Sequence, residues 1–378
     1  MRFFSCFETK ITCDLVHGTI TDVKSSLAPH RLRAQRLVGE PLDSPAAVVG
    51  HLGAVQSQMP EMALWAIGRR CGATLAEVEE SFARREFIRT HVLRPTWHDV
   101  LPGDLRDLLE LTAPRIRQAA ATHSRRDGLT PKRIQRWAQA AIDAIREHGP
   151  VTRAEVEEHL IAEAGFARVG SSLSHVMIEA ELTGEIHSGP VRGKQQTYVA
   201  ADLPPSTRTP DERLGWLART YGRGHGPFRD KDLAWWATLT LSQARRAIAL
   251  AELQPVELAS ETHYLTEPLE DVSVPRALLL PAFDEFISYA RDADDFSLVG
   301  GEVGMIMRTT GLLFVDGALN GSWTRSINAK HVAVDVAPTT PVPRAVSAAI
   351  EAESGRFGAF VERPVELTLH AHGSVAHK

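Results

Sequence analysis

The spacing of hydrophobic positions predicts a helical module in the middle of the chain. Thr130 caps a helix that ends at Gly149, and its apolar positions recur at helical spacing: Ile134, Trp137, Ala138, Ala141 and Ile145. Two further helices follow, and short strands at 185–187 and 197–199 flank a turn rich in Gly and Pro. Three helices and a two-stranded ribbon are the elements of a winged helix-turn-helix, which we predict for residues 129–205.

Similar patterns on both sides of this module predict further units. Residues 30–128 combine helices with a small hairpin, which indicates a first winged-helix unit, and Pro114 should break or restart its last helix. Residues 206–255 repeat the pattern more weakly and predict a third unit. Short β-like runs indicate a β-rich C-terminal domain at 256–378, after an N-terminal extension at 1–29. The predicted fold class is α+β, with tandem winged-helix units before the β-rich domain.

The segment that leads into Pro60 carries the first candidate chemistry. A helix is predicted to end near Val55, and the proline favours extended backbone in the residue before it. On extended backbone, Gln56 and Gln58 point to the same side, whereas on a helix they would diverge. The alternative is a helix C-terminus with two solvated glutamines.

Composition narrows the class of protein. The 378 residues carry 42 basic and 47 acidic side chains, a net charge of −5, which excludes a uniformly cationic coat but permits one basic face. The three cysteines and sixteen histidines show no metal-ligand spacing, so no cofactor or metal is expected. The sequence shows no apolar run of membrane-spanning length, and we do not expect a signal peptide. We expect a cytoplasmic, nucleoid-associated monomer.

Candidate DNA contacts are distributed over several units. The candidate recognition helix at 171–182 offers few cations, and its polar side chains are Ser172, Ser174, His175 and Glu179. Arg192 and Lys194 lie on the predicted wing. Other basic side chains that could neutralise phosphates are Arg125, Arg126, Lys132, Arg133, Arg223, Arg229 and Lys231. This distribution favours recognition of the DNA backbone and shape over base reading. The alternative for any one pair of basic residues is that it lies on a solvated helix face and forms ion pairs within the protein.

Several short motifs, in this order, resemble the AlkZ/YcaQ-like winged-helix DNA glycosylases: Gln56-Ser57-Gln58, Ala63-Leu64-Trp65-Ala66, Leu93-Arg94-Pro95-Thr96-Trp97-His98, Asp232-Leu233-Ala234-Trp235-Trp236 and Leu280-Pro281-Ala282-Phe283-Asp284-Glu285. The similarity runs from about His30 to beyond Arg325. The family pattern is Gln, an aliphatic residue, then Gln or Asp, so Ser57 departs from it. The resemblance implies tandem winged helices, a β-rich C-terminal domain, and removal of alkylated purines from double-stranded DNA, including the unhooking of interstrand crosslinks.

Uncharged amide side chains could support hydrolysis of the N-glycosidic bond of an alkylated purine. An N-alkylated purine already carries positive charge and leaves without a strong acid, while an amide oxygen can hold a water against the oxocarbenium-like sugar. We expect Gln56 and Gln58 to position that water. Asp284 and Glu285, and Asp99 in the same way, are candidate supporting carboxylates, or acidic groups that stabilise a helix N-terminus. No lysine is singled out as a Schiff-base nucleophile, which predicts a monofunctional enzyme. The alternative is a non-catalytic winged-helix DNA-binding or regulatory protein.

Overall fold

The computed structural model describes residues 27–258, 260–269, 272–288 and 310–372, so most of the predicted N-terminal extension lies outside the described residues. Within these ranges, every helix is too short or too polar to cross a bilayer. The helices of the first unit are α1 (Leu27–Ala34), α2 (Pro45–Leu52), α3 (Pro60–Cys71), α4 (Leu75–Ala83) and α5 (Pro102–Arg126). Its strands are β1 (Val55–Gln56), β2 (Ile88–Val92) and β3 (Thr96–Val100).

The glutamine segment joins a small sheet with the strand order β1-β3-β2. Helix α2 ends at Leu52, earlier than predicted, because Gly53 adopts φ +79° and turns the chain out of the helix. The chain then enters β1, which pairs antiparallel with β3 and places Gln56 opposite His98. The predicted hairpin is confirmed as β2 and β3.

Helix α5 corrects one prediction, since it continues through Pro114 without a break. The proline is exposed, while Ala113 and Ile116 beside it are buried. A proline in a helix removes one hydrogen bond and crowds the preceding turn. Burial of the apolar face on both sides of the proline offsets that cost here, because tertiary packing overrides local preference.

The second unit has its own core. Its helices are α6 (Pro131–His148), α7 (Arg153–Ala164) and α8 (Ser172–Leu182), and its strands are β4 (Val151–Thr152), β5 (Ile186–Ser188) and β6 (Thr197–Ala200). The strands form a sheet in the order β4-β6-β5. Thr130 Oγ1 accepts the Arg133 N–H at the start of α6, as the cap pattern predicts. The predicted stripe of α6 is buried against Val176, Met177 and Tyr198.

Helix α8 requires a second correction, because its polar side chains are engaged within the protein. His175 is only 4% exposed. Ser174 Oγ accepts a hydrogen bond from Arg153 Nη2 (2.7 Å), and Glu179 pairs with Arg117 of α5 (2.9 Å). Arg153 belongs to α7 of the same unit and Arg117 to the first unit, so the candidate base-reading side chains already have protein partners. The interpretation of α8 as a recognition helix that offers these side chains to a DNA groove is therefore wrong.

The third unit shares its core with the first. It contains α9 (Pro210–His225), α10 (Asp230–Trp236) and α11 (Leu241–Leu250), followed by the hairpin β7 (Pro255–Leu258) and β8 (Glu261–Tyr264). Tyr221, Phe228 and Trp236 pack in one hydrophobic cluster with Leu93 and Leu105 of the first unit. This shared core brings α9 and α10 next to the β2–β3 hairpin.

The C-terminal part is a mixed five-stranded sheet with one helix in the described residues. Its elements are β9 (Ala277–Leu280), β10 (Gly311–Val315), β11 (Ala318–Ile327), β12 (Val332–Pro338), α12 (Arg344–Phe360) and β13 (Val365–Leu369). The order is β13-β12-β11-β10-β9, and only β12 and β13 run parallel, with α12 as their connection. Trp65 of α3 is buried against Phe357 and donates its indole N–H to the Leu279 carbonyl (2.9 Å). The glutamine segment, which precedes α3, is thereby fixed beside β9 and the residues that follow it.

Candidate active site

Gln56 and Gln58 lie on extended backbone at the edge of the β1-β3-β2 sheet. Strand pairing continues one residue past β1, because the Ser57 N–H donates to the Trp97 carbonyl (2.8 Å). Val55 and Ser57 are 1% exposed, whereas the two glutamines are half-buried. This alternation has the two-residue period of a strand and supports an arrangement in which both amides point to the same side of the sheet.

Arg94, in the turn between β2 and β3, holds the side chain of Gln56. Its Nη2 donates to Gln56 Oε1 (3.2 Å) and to His98 Nε2 (3.1 Å). Its Nη1 donates to the Ser288 carbonyl (3.0 Å), and its guanidinium lies 4.7 Å from the ring centre of Trp235. The side chain is 11% exposed. The orientation of the Gln56 amide is thus determined by a nearly buried, fixed cation.

His98 is neutral in this arrangement. Burial, reinforced by the charge of Arg94, lowers the pKa of His98 to about 3. The Nδ1–H can donate to the Thr96 carbonyl at 3.1 Å, which leaves Nε2 as an acceptor for Arg94. The imidazole therefore supports the guanidinium without adding a second positive charge.

Glu285 connects the glutamine segment to the rest of the site. Its Oε1 accepts the backbone N–H of Gln56 (2.8 Å). Its Oε2 accepts the Trp236 indole N–H (3.0 Å) and lies 3.1 Å from His225 Nε2. Burial alone would raise the pKa of Glu285, but the hydrogen bond to His225 and the charge of Arg94 lower it to about 2. The carboxylate is ionised and contacts the Gln56 backbone, a position that suits a supporting role.

Asp284 makes a different set of contacts. Its two oxygens accept hydrogen bonds from Arg70 Nη2 (2.7 Å) and Nη1 (2.9 Å), and both side chains are fully buried. Arg70 also donates to the Gln35 carbonyl (2.8 Å). This bidentate ion pair joins α3 to the segment after β9, so the geometry indicates a structural role for Asp284.

Two turns in unusual backbone conformations carry these residues. Leu93 precedes Arg94 with φ +63°, and Phe283 precedes Asp284 with φ +61°. Non-glycine residues rarely adopt this left-handed region, which costs on the order of 1–3 kcal/mol at each position. The packing of Leu93, which is fully buried, stabilises one of the two turns. Such strained positions cluster at functional sites, which is consistent with the location of this network.

Several buried oxygens near the glutamines lack protein partners among the described residues. They are Gln58 Oε1, Thr90 Oγ1 and Thr96 Oγ1. Thr90 lies opposite His98 in the sheet register, and Thr96 is two residues from His98 on β3, so both lie on the face that carries Gln56. Buried polar atoms almost always have a partner, which water or a substrate can supply here.

The opposite face of the sheet accounts for the serine at position 57. Ser57 is buried and its hydroxyl hydrogen-bonds to the Asp99 carboxyl on β3. Burial raises the pKa of Asp99 to about 7, although the Arg89 guanidinium and Ser57 act in the opposite direction. A polar residue at position 57 therefore has a buried polar partner. The departure from the aliphatic family pattern does not disturb the extended backbone.

The raised pKa of Asp99 has a consequence for stability. Between about pH 4 and 7, Asp99 is protonated in the folded state but ionised in the unfolded chain. The free energy of unfolding should therefore fall as the pH rises through this window, by up to about 1.4 kcal/mol per pH unit. Asp99→Asn keeps a polar partner for Ser57 but has no charge to desolvate. Urea unfolding should give similar free energies of unfolding at about pH 3.5, where Asp99 is protonated in both states, and a more stable variant at pH 8.5. If the free energies of unfolding of the two proteins changed with pH in parallel, this expectation would be contradicted.

The predicted DNA-contacting residues fall into two groups. Some are exposed at the end of α5, at the start of α6 and on the β5–β6 hairpin: Arg125, Arg126, Lys132, Arg133 and Lys194. Others are engaged in contacts within the protein. Arg229 is 6% exposed and bound to Asp232 (3.0 Å), and Glu261 pairs with both Arg229 (2.8 Å) and Lys231 (3.0 Å).

Two further basic residues are exposed but also contact other groups of the protein. Arg192 on the hairpin is exposed but pairs with Glu155 of α7. Arg223 of α9 is exposed and donates to the Gly50 carbonyl (2.6 Å), at the end of α2. Each of these side chains would have to exchange a protein partner for a phosphate in order to contact DNA.

Comparison with known proteins identifies the family of this chain. The family model described as "DNA glycosylase AlkZ-like" matches residues 49–360. This chain belongs to the AlkZ-like family. That membership confirms the predicted DNA glycosylase function and identifies an enzyme that acts on DNA.

Two similar proteins come from Streptomyces sahachiroi. A curated relative named "Interstrand DNA cross-link repair glycosylase" is 24% identical over 320 residues, which are 77% of this chain and 85% of the relative. The solved structure of the DNA glycosylase AlkZ matches with a TM-score of 0.73 at 20% identity and covers 91% of this chain and 99% of the solved chain. The AlkZ-like chain thus shares the mixed helix-and-sheet fold of that structure.

The sequence alone predicts both glutamines and Glu285 as candidate site residues, and it predicts no role for Arg94, His98 or His225. Arg94 and His98 lie within a motif that carried the family resemblance, and this was the one available signal. His225 lies between two glycines in the sequence and is buried at the end of α9. Among the described residues, no group of His, Cys, Asp or Glu is arranged to hold a metal ion.

Proposed function

We propose that this protein is a monofunctional DNA glycosylase that hydrolyses the N-glycosidic bond of bulky alkylated purines in double-stranded DNA and unhooks interstrand crosslinks. The observation that carries the proposal is the pair Gln56 and Gln58, half-buried on one strand, where Gln58 Oε1 is buried without a protein partner among the described residues. The crosslink substrate is taken from the name of the Streptomyces sahachiroi relative.

The reaction needs little from the protein beyond a positioned water. The water oxygen bonds to the anomeric carbon of the sugar, the C–N bond breaks, and its electron pair neutralises the cationic purine. One proton of the water passes to solvent. Gln56 and Gln58 hold the water against the sugar, and the carbonyl dipole of Gln58 stabilises the oxocarbenium-like charge. Glu285, ionised and hydrogen-bonded to the Gln56 backbone, keeps the segment in place.

The described lysines support a hydrolytic mechanism without lyase activity. They are all exposed: Lys132, Lys194, Lys231 and Lys330. A Schiff-base nucleophile is normally a lysine whose pKa is lowered in a desolvated site. In the part of the chain that the structure describes, none of these lysines hydrogen-bonds or ion-pairs with the residues around Gln56, so a water is the better-supported nucleophile.

We also infer how the protein contacts DNA. The three helical units act as tandem winged helices that bind through phosphates and shape, since the polar residues of α8 are engaged within the protein. A bulky lesion or a crosslinked base resists flipping into a tight pocket, so the glutamines should line a shallow, open, basic groove. The protein would act as a monomer in the cytoplasm, associated with the nucleoid.

The test is incubation of the protein with duplex DNA that carries a single N7-alkylguanine. We expect free alkylated base and abasic sites, with strand breaks only after alkali or heat because no lyase step occurs. Binding should weaken as salt rises. A protein that binds the duplex, prefers one sequence and releases no base would instead be a non-catalytic regulator.

A further inference from the structure

We propose that Arg94 is a positioning residue that orients the Gln56 amide with its amino group toward the reacting water, so that Gln56 donates to the water while Gln58 accepts from it. This role rests on the proposed function and assigns different tasks to the two glutamines. Sequence reasoning treated them as equivalent acceptors.

The orientation follows from the chemistry of the guanidinium. Arginine has five N–H donors and no acceptor, so the Gln56 atom that faces Arg94 Nη2 at 3.2 Å must be the carbonyl oxygen. A rotated amide would set its amino group against another donor and lose the hydrogen bond. The amino group is therefore directed away from Arg94, and none of the described residues accepts a hydrogen bond from it.

Arg94 is held so that it cannot release Gln56 easily. The Ser288 carbonyl accepts from Nη1 (3.0 Å), and His98 Nε2 accepts from the same nitrogen that binds Gln56 (3.1 Å). The Glu285 carboxylate lies 3.9 Å away and balances the charge, while Trp235 covers one face of the guanidinium. All of these contacts favour a single guanidinium position.

Gln58 supplies the complementary group. Its Oε1 is a buried acceptor without a partner among the described residues. A water that accepts from the Gln56 amino group and donates to Gln58 Oε1 keeps one lone pair for the sugar and one proton to release to solvent. The positioning by Arg94 thus defines the direction of attack, whereas two acceptors would leave the water free to turn.

The experiment is a double-mutant cycle on single-turnover base release from the N7-alkylguanine duplex. Arg94→Met should slow release by about tenfold or more, because a misdirected water loses its near-attack geometry. In a Gln56→Ala background, Arg94→Met should hardly change the rate of base release further, because the side chain that Arg94 orients is absent. Arg94→Lys restores one donor and should give an intermediate rate. Affinity for unmodified duplex should be unchanged throughout.

Arg213→Met is the matched control. The Arg213 side chain is 13% exposed and pairs with a buried carboxylate, Asp107, much as Arg94 is 11% exposed beside Glu285. This variant should lose stability but release base at the parental rate at a temperature where it is folded. Equal slowing of the Arg94 and Arg213 variants, or an unchanged Arg94→Met effect in the Gln56→Ala background, overturns the positioning role.

The outcomes also separate this role from the proposed function. If the parent protein releases no base, the proposed function fails. If Gln56→Ala releases base at the parental rate, the catalytic assignment of Gln56 fails and the role of Arg94 fails with it. If Gln56→Ala is slow while Arg94→Met retains the parental rate, the proposed function stands and only the positioning role is overturned.

Discussion

Gln58→Ala should slow single-turnover base release by roughly 10²-fold, with unchanged affinity for unmodified duplex. Removal of a single preorganised dipole at a reacting centre typically costs this much. Gln58 Oε1 is the one glutamine oxygen in the segment without a protein partner among the described residues, since Gln56 Oε1 accepts from Arg94. The truncation thus removes the acceptor for the water without breaking a described hydrogen bond within the protein.

Gln139→Ala provides the control for loss of a glutamine side chain. Gln139 is exposed on α6, where it donates to Asp143 (2.9 Å), so its removal should not change the rate. Thermal unfolding should confirm that the Gln58 variant remains folded at the assay temperature. A Gln58→Ala protein that releases base at the parental rate would show that another group holds the water.

Asp284→Ala should destabilise the fold by about 3–5 kcal/mol, because it leaves the Arg70 guanidinium buried and unpaired. Arg70 would keep its hydrogen bonds to Gln35 but lose two charge-assisted bonds to the carboxylate. Urea unfolding measures the change. At a temperature where the variant is folded, base release per folded molecule should match that of the parent.

The control for this prediction is the loss of a carboxylate from an exposed ion pair. Asp316 pairs with Arg276 at 3.1 Å, with both side chains more than half exposed, so Asp316→Ala should change stability by less than about 1 kcal/mol. If Asp284→Ala unfolds like the parent but releases base slowly, Asp284 acts on the reaction, as the sequence first suggested for both carboxylates.

Local signals in the sequence predicted much of the helical part. Thr74 with Glu77 and Thr152 with Glu155 form capping boxes, which their spacing in the sequence predicts because such contacts span only one helical turn. The hairpin of β2 and β3 was also predicted from its own residues. For the same reason, alternation along the chain predicted that Gln56 and Gln58 share a side, an arrangement that the strand burial supports.

The features that sequence reasoning missed depend on distant parts of the chain. Strand β11 carries many polar residues and was not predicted, since its pairing with β10 and β12 on either side stabilises it. The engagement of Glu179 on α8 depends on Arg117 in α5. Likewise, the contacts of Arg94 and Glu285 with Gln56 follow from tertiary packing that no local pattern encodes.

The hydrogen bond from the Gln56 backbone to Glu285 joins residues 229 positions apart. A ribosome that adds some 5–20 residues per second has therefore exposed the glutamine segment many seconds before its carboxylate anchor emerges. We therefore expect a nascent chain to excise no bases during that interval. A product truncated by a stop codon before position 285 would contain the residues of every helix of the first three units, and we expect it to be inactive.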